Sequence, residues 1–249
     1  MCIRDSIYAL FLLAQFRETQ AYPLIIEFFS TPGDSSLDVT GDMVTEYLAR
    51  ILATVWDGNT EPLKKLIENS QVNEFVVGAA LDSLLVLVAQ EIISRESVID
   101  YFRELFETRL EKESNSDTEP DYFLSNLTIS SAQLYPLELK PQIERAFELD
   151  LIDGMYINPK DIEYYLKLGL DANLNKLRSD RHFSLIEDTI AELEWWYCFQ
   201  EQKEKPARKK PIGLGSPNLS SPKKSNQSKK KAKRKMQKQA RRKNRSKKK

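Results

Sequence analysis

The composition of the chain changes abruptly near residue 201, and this break decides which part can fold. The last 49 residues contain 21 lysines and arginines but two acids, a net charge of +19, so the first 200 hold 16 bases and 35 acids, a net charge of −19. The basic segment is rich in Pro, Gly, Ser and Lys and cannot bury enough apolar surface to offset its chain entropy. The sequence therefore predicts a folded acidic body over residues 7–200 and a disordered basic C-terminal tail over residues 201–249.

Apolar residues in the body recur at the three- and four-residue spacing of α-helices, as in Ile7, Leu10, Phe11 and Ala14. Glycine is scarce, and no hairpin dipeptide separates alternating apolar runs, which argues against a β-sheet. We therefore predict that the body is all-α.

The predicted helices form pairs with a repeating period. The second helices of four successive pairs open at Pro23, Pro62, Ser97 and Pro136, which lie 39, 35 and 39 residues apart. A helix-pair period of about 35–45 residues is typical of HEAT-like repeats. The spacing predicts a HEAT-like α-solenoid of antiparallel helix pairs.

Two features follow the fourth pair, whose second helix is predicted over residues 136–151. The run Asn158-Pro159-Lys160-Asp161 predicts a helix start, with an N-cap, a proline at the first position and an acid at the third. A last helix is predicted with one apolar face, formed by Phe183, Ile186, Ile190, Leu193 and Tyr197. Because stacked repeats need polar-faced ends, we expect this helix to cap the open end of the array.

The first six residues, Met1–Ser6, fit no helical pattern and resemble translated adapter sequence. We interpret residues 1–6 as a spurious leader and expect the natural N-terminus to lie elsewhere, together with an earlier helix.

Cysteine and histidine usage excludes two classes of site. Cys2, Cys198 and His182 are the members of these residue types, too few for a disulfide framework or a structural zinc site. We expect a reducing, cytoplasmic setting, or a nuclear one in a eukaryote. No apolar run reaches the roughly 18 residues that span a bilayer. His182 is expected at the start of a helix or in a loop, and the sequence predicts no catalytic residue, cofactor or metal.

Three segments carry a family resemblance: Ile7–Phe16, the Gly41-Asp42 helix start, and the run from Ser184 to Trp196 with its paired tryptophans. Together they resemble the bacterial family of helical-repeat proteins numbered 1186 among the domains of unknown function. The resemblance covers about residues 6–200 and implies an α-helical repeat fold with no established activity. Many members carry a SecA-type zinc motif after this body. This tail has no Cys or His, so that zinc chemistry is not implied here.

The tail predicts contact with RNA, DNA or another polyanion, because each neutralised phosphate releases counterions. No aromatic residue is interleaved to stack on bases, so sequence recognition is not indicated. A solubilising or nuclear-targeting tail is the alternative. The predicted contact residues are Lys229, Lys230, Lys231, Lys233, Arg234, Lys235, Lys238, Arg241, Arg242, Lys243, Arg245, Lys247, Lys248 and Lys249.

An acidic cluster and a tryptophan are the candidate protein-binding residues of the body. The acids Glu111, Glu113, Asp117 and Glu119 form either a solvated face or a docking surface for a basic partner, which includes the tail itself. In the last helix, Trp196 is expected to face the core with Leu193 and Tyr197. Trp195 is then exposed or seals the end of the array, either as packing or as a binding hot spot.

These features favour a non-enzymatic interaction scaffold that binds a protein partner while its tail contacts a polyanion. The alternative is an enzyme, or a regulator of one, with carboxylates in the solenoid groove as acid and base. Such chemistry needs two carboxylates in different environments within one pocket, so their placement separates the hypotheses.

Overall fold

Helices account for the regular structure of the described residues. The structure is a computed structural model that describes residues 3–113, 121–196 and 199. Within these ranges there is no strand; one isolated β-bridge joins Gly33 and Val72, which confirms the all-α class. The α-helices are Ile3–Gln15 (α1), Ala21–Phe29 (α2), Ser35–Thr40 (α3), Met43–Glu46 (α4), Leu48–Thr54 (α5), Glu61–Glu68 (α6), Glu74–Ala89 (α7), Arg95–Glu113 (α8), Tyr122–Gln133 (α9), Lys140–Glu148 (α10), Pro159–Leu168 (α11), Leu170–Ser179 (α12) and Thr189–Leu193 (α13). Short 3₁₀ helices span Pro136–Leu139 and Arg181–Phe183.

The core is organised around α7. This helix is apolar on all faces, and 12 of its 16 residues are buried, as expected of a helix without a polar side. It contacts α4, α5, α6, α9 and α12. Its first turn is fixed by the Asn73 side chain, which accepts a hydrogen bond from the Phe75 amide at 2.9 Å. Helices α6 and α9 pack directly on α7, and α8 packs on α9; these three helices form the candidate cleft.

The residues predicted to open the second helices lie close to the observed helix starts in three of the four pairs. Pro62 is the second residue of α6, whereas Pro23 and Ser97 are the third residues of α2 and α8. The single helix predicted over residues 136–151 is wrong, because Pro136 opens a 3₁₀ helix and α10 starts at Lys140. Pro141 at the second position of α10 favours this later start.

Apolar residues keep helical spacing from Met43 to Val55, but two helices cover this stretch. Tyr47, with φ of −134°, separates α4 from α5. Its ring packs edge-on against Phe11, with the centroids 4.9 Å apart. The break therefore coincides with an aromatic contact to α1, which helical periodicity does not report.

The capping box at α11 is confirmed. The Asn158 side chain accepts from the Lys160 amide at 3.0 Å, and the Asn158 amide donates to Asp161 at 2.9 Å. The sequence analysis missed α12, which follows α11 after Gly169.

The single last helix predicted over residues 183–197 is wrong. A 3₁₀ turn ends at Phe183, the chain continues without helix to Asp188, and α13 covers five residues. The physical reason is that tertiary partners bind the backbone of this stretch. Arg50 binds the carbonyls of Ser184 and Leu185, and the Ile186 amide donates to the Thr54 hydroxyl. This segment packs on α1 and α5.

Helix α1 begins at Ile3, so the prediction that residues 1–6 fit no helix is wrong for residues 3–6. None of the helices in the described ranges is both long enough and apolar enough to cross a membrane.

Candidate binding cleft between α6, α8 and α9

Two adjoining cavities form an open cleft at the end of α6, beside α8 and the start of α9. Their volumes are about 430 and 170 Å³, and they share Ser70, Arg109 and Phe123 as lining residues. The combined space lies within the range of ligand pockets in proteins. The larger cavity is lined by Glu68, Ser70, Tyr101, Glu104, Leu105, Thr108, Arg109 and Phe123.

Local sequence places these side chains. Helix α6 ends at Glu68, and Asn69 leaves the helical conformation with ψ of 101°. Its side chain accepts from the Gln71 amide at 3.0 Å, which turns the chain away and opens the space beyond Glu68. On α8, Tyr101, Glu104 and Thr108 follow one another at three- and four-residue spacing, so they share one face.

Tyr101 is the buried polar group of the cleft. Its hydroxyl donates to Glu68 Oε1 at 3.0 Å, and the Lys64 ammonium lies 4.9 Å from its ring centroid. Burial raises the pKa of the Tyr101 hydroxyl far above its ordinary value, and the Glu68 charge raises it further. Tyr101 therefore stays protonated and holds the Glu68 carboxylate at the cleft wall.

Arg109 lies between the two cavities. Its guanidinium carbon is 4.5 Å from the Phe123 ring centroid, and Nη1 lies 3.8 Å from Asp121 Oδ2. Ring and carboxylate together hold the guanidinium in place. The cleft therefore has an acidic wall, formed by Glu68 and Glu104, and one positioned cation at its centre.

Four carboxylates line the cleft, those of Glu68, Glu74, Glu104 and Asp121. Glu68, Glu74 and Glu104 are exposed, whereas Asp121 is half-buried and lies 3.8 Å from Arg109. The buried Glu192 lies outside the cleft and binds Arg50 and Arg181. Asp82 is half-buried and accepts from the Ser130 hydroxyl at 3.3 Å, and it lines neither cavity. Of the carboxylates that line this cleft, half-buried Asp121 is therefore the one in a different environment, and its neighbour is the Arg109 guanidinium.

The predicted acidic cluster lies largely beyond the described residues. Glu111 is exposed on α8, three residues past Thr108 and on the same side of the helix. The Glu113 side chain, Asp117 and Glu119 fall outside the described part of the chain, as do the basic residues of the tail from Lys229 to Lys249.

The two adjacent tryptophans lie in different environments. Trp196 packs against the core, 6.1 Å from the ring centroids of both Phe11 and Tyr47, which confirms its inward orientation. Buried Leu193 shares this side, whereas Tyr197 lies outside the described residues. Trp195 is 52% exposed.

His182 lies in the 3₁₀ turn, where its exposed ring binds Asp180 at 2.9 Å. His182 therefore lies in a short turn before α13 and not at the start of a long last helix, and the ring's partner is a local carboxylate. Glu68, Tyr101 and Arg109 were not predicted, because the polar sides of α6 and α8 have the pattern of ordinary solvated faces.

Comparison with known proteins places the chain in a family. It is 41% identical over 196 residues to an uncharacterized protein of Chlamydia trachomatis serovar D, covering 78% of this chain and 74% of that protein. An uncharacterized protein of Chlamydia muridarum is also 41% identical over 196 residues, covering 78% and 75%. No solved structure matches the chain. A family model described as "Protein of unknown function (DUF1186)" matches residues 2–200, and the chain therefore belongs to this family, as the resemblance predicted.

Proposed function

We propose that this protein is a non-enzymatic interaction scaffold that binds a basic segment of a partner protein in the cleft and contacts a polyanion through its tail. The carrying observation is the cleft wall, where Glu68 and Glu104 are exposed beside Tyr101. An exposed row of acidic side chains complements the lysine or arginine side chains of a basic segment.

The row of acidic residues along and after α8 supports a peptide-like partner. Glu111 extends the acidic wall along α8, and Glu113, Asp117 and Glu119 follow in the sequence. We propose these acids as further contacts of the basic segment, and Trp195 as a contact on a separate face. The enzyme alternative requires a pair of carboxylates in contrasting environments. Glu68 and Glu104 are both exposed, and half-buried Asp121 lies 3.8 Å from the Arg109 guanidinium, which favours the scaffold.

A peptide titration tests the cleft. Full-length protein is titrated with a fluorescent octalysine peptide, and binding is compared with that of the Glu68→Gln/Glu104→Gln double variant. We expect the dissociation constant to rise by about tenfold in the variant, because two charge contacts are lost. The matched control is Glu144→Gln/Glu163→Gln, which removes two exposed acids from other helices. An equal effect of both variants contradicts cleft binding.

The tail half of the proposal rests on the charge of +19 over residues 201–249. Deletion of these residues should abolish binding to single-stranded RNA and duplex DNA. In the intact protein the affinity should fall by about 10³-fold or more between roughly 50 and 200 mM salt. A tail with the same composition in scrambled order should bind equally well. Unchanged nucleic-acid affinity after deletion contradicts this half and leaves the cleft proposal standing.

The HEAT-like solenoid of antiparallel pairs and the cytoplasmic location belong to the same proposal. Contacts of α2 with α6 and of α8 with α10 join the second helices of neighbouring predicted pairs and support the stacking of these pairs. The location rests on cysteine usage, since Cys2 and Cys198 offer no disulfide framework.

A further inference from the structure

The outward side of α1 is apolar, which is unusual for a surface helix. Leu12 and Phe16 are 44% and 74% exposed, and Ala9 on the same side is exposed as well. No charged residue occurs between Asp5 and Arg17. A helix that is apolar on every side is normally covered on every side. The open face of α1 is therefore a candidate contact surface.

The last described segment extends this surface. The Thr189 amide donates to Gln15 Oε1 at 2.8 Å, which places the neighbouring Ile190 beside α1. The ring of Phe199 lies 5.5 Å from that of Tyr8, one helical turn from Leu12. Ile190, Trp195 and Phe199 are 73%, 52% and 49% exposed. We name Leu12, Phe16, Ile190, Trp195 and Phe199 the terminal apolar patch.

Acidic side chains surround the terminal apolar patch. Exposed Glu18 follows Phe16 in the sequence, Glu187 and Asp188 precede Ile190, and Glu194 precedes Trp195. The nearby base is Arg17, whose guanidinium lies 4.0 Å from the Glu187 carboxylate. An apolar centre with a charged rim is the arrangement of protein-binding surfaces, and here the rim is acidic.

We propose that the terminal apolar patch docks a cationic amphipathic helix of a partner protein. The apolar side of such a helix covers Leu12, Phe16 and Ile190, while its lysines or arginines meet the acidic rim. Charge complementarity argues against two other occupants. A second copy would bring the same acidic rim and a body of net charge −19 against itself. An anionic membrane surface would be repelled by the rim. This inference rests on the proposed scaffold function and gives its partner a second contact.

The test uses full-length protein and a fluorescent helical peptide of about 18 residues built from leucine and lysine. We expect the Phe16→Ala/Ile190→Ala variant to bind it at least about tenfold more weakly than the unchanged protein. Both replaced side chains are more than 70% exposed, so the fold is expected to survive, as circular dichroism will verify. The matched control is Met155→Ala/Tyr156→Ala, which removes exposed apolar side chains from the turn before α11 and should leave binding unchanged.

Several outcomes would overturn the proposal. Equal binding of the leucine–lysine peptide by the patch and control variants would show that the patch is not its binding surface. Equal binding of a leucine–glutamate helix to the unchanged protein would show that the surface does not prefer a cationic partner. Patch-dependent binding to vesicles of phosphatidylglycerol and phosphatidylcholine assigns the surface to a membrane. A concentration-dependent dimer that the patch variant abolishes assigns it to a second copy. Octalysine binding that still depends on Glu68 and Glu104 shows that the scaffold proposal stands even when this one fails.

Discussion

Arg50 and Glu192 form a buried two-point ion pair across 142 positions of the sequence. The two hydrogen bonds measure 2.7 and 2.8 Å, and the side chains are 4% and 9% exposed. Arg50 also donates to the carbonyls of Ser184 and Leu185, so its guanidinium is surrounded by acceptors. The pair attaches the last segment to α5, and the terminal apolar patch depends on that attachment.

Replacement of Arg50 by methionine should therefore destabilise the protein strongly. The change leaves the Glu192 carboxylate buried with one remaining partner, Arg181, and breaking a buried pair typically costs about 3–5 kcal/mol. Urea denaturation followed by circular dichroism measures the free energy of unfolding. Arg145→Met is the control, because the Arg145–Glu148 pair is exposed and such pairs contribute about 0–1 kcal/mol. A similar small loss in both variants would mean that the buried pair is dispensable.

The same pair predicts sensitivity to acid. Burial alone would raise the pKa of Glu192, but the hydrogen bonds from Arg50 and the charges of Arg50 and Arg181 outweigh it, and the pKa lies below its ordinary value. A depressed carboxylate contributes stability above its unfolded pKa of about 4.3, and this contribution is lost as the pH falls through the folded pKa. The free energy of unfolding should therefore decline below about pH 4, and Glu192→Gln should show a shallower decline in this window. Identical slopes for both proteins would reject this assignment.

Asp82 should produce the opposite dependence at higher pH. Burial raises its pKa to about 6, despite the Ser130 hydrogen bond and the charge of His182, which lower it. The folded protein then holds a proton that the unfolded chain releases at about pH 3.9, so stability from this group is present below that pH and is lost as the pH rises to about 6.

Asp82→Asn should consequently stabilise the protein near neutral pH, by an amount on the order of 1–2 kcal/mol. The amide oxygen can still accept from Ser130, so the contact between α7 and α9 is kept. Urea denaturation at acidic and neutral pH should give a flatter profile for this variant. Asp171→Asn, at an exposed position of α12, is the control and should leave the profile unchanged. A destabilised Asp82→Asn protein at neutral pH would show that the charged form is favoured.

The sequence predicts those parts of this fold whose causes are local. The capping box of Asn158 and Asp161 is complete within four residues, so its prediction is confirmed. The stretch after Phe183 has helical periodicity. Its backbone groups nevertheless bind the side chains of Arg50 and Thr54, about 130 residues away in the sequence, in place of helical partners. Periodicity contains no information on such distant partners, and this explains why the single last helix is wrong.

The candidate cleft is subject to the same limit. Glu68, Tyr101 and Phe123 come from three helices, and no spacing within one helix marks their meeting. The inward orientation of Trp196 was predictable, because it needs the period of the helix and the apolar Leu193 nearby. Arg50, an arginine within the apolar run from Leu48 to Leu52, is a sequence signal for a buried pair that the analysis did not use.

Gly169 offers a prediction on the backbone between α11 and α12. Its φ of 84° and ψ of 162° lie in a region that residues with a side chain essentially do not enter. The Asn173 amide donates to the Gly169 carbonyl at 3.0 Å, so the first turn of α12 depends on this conformation. Gly169→Ala should therefore lower the free energy of unfolding by about 1–3 kcal/mol, although a Cβ would meet no atom within 4 Å.

The matched control for this strain is Gly154→Ala. Gly154 has no positive φ, and an added Cβ would also meet nothing within 4 Å, so the two substitutions differ in backbone conformation and not in crowding. Alanine at residue 154 should be neutral or slightly stabilising, because it reduces the freedom of the unfolded chain. Parallel urea denaturation of both variants measures the difference. If both lose stability equally, backbone strain is not the cause, and the turn between α11 and α12 adapts to a side chain.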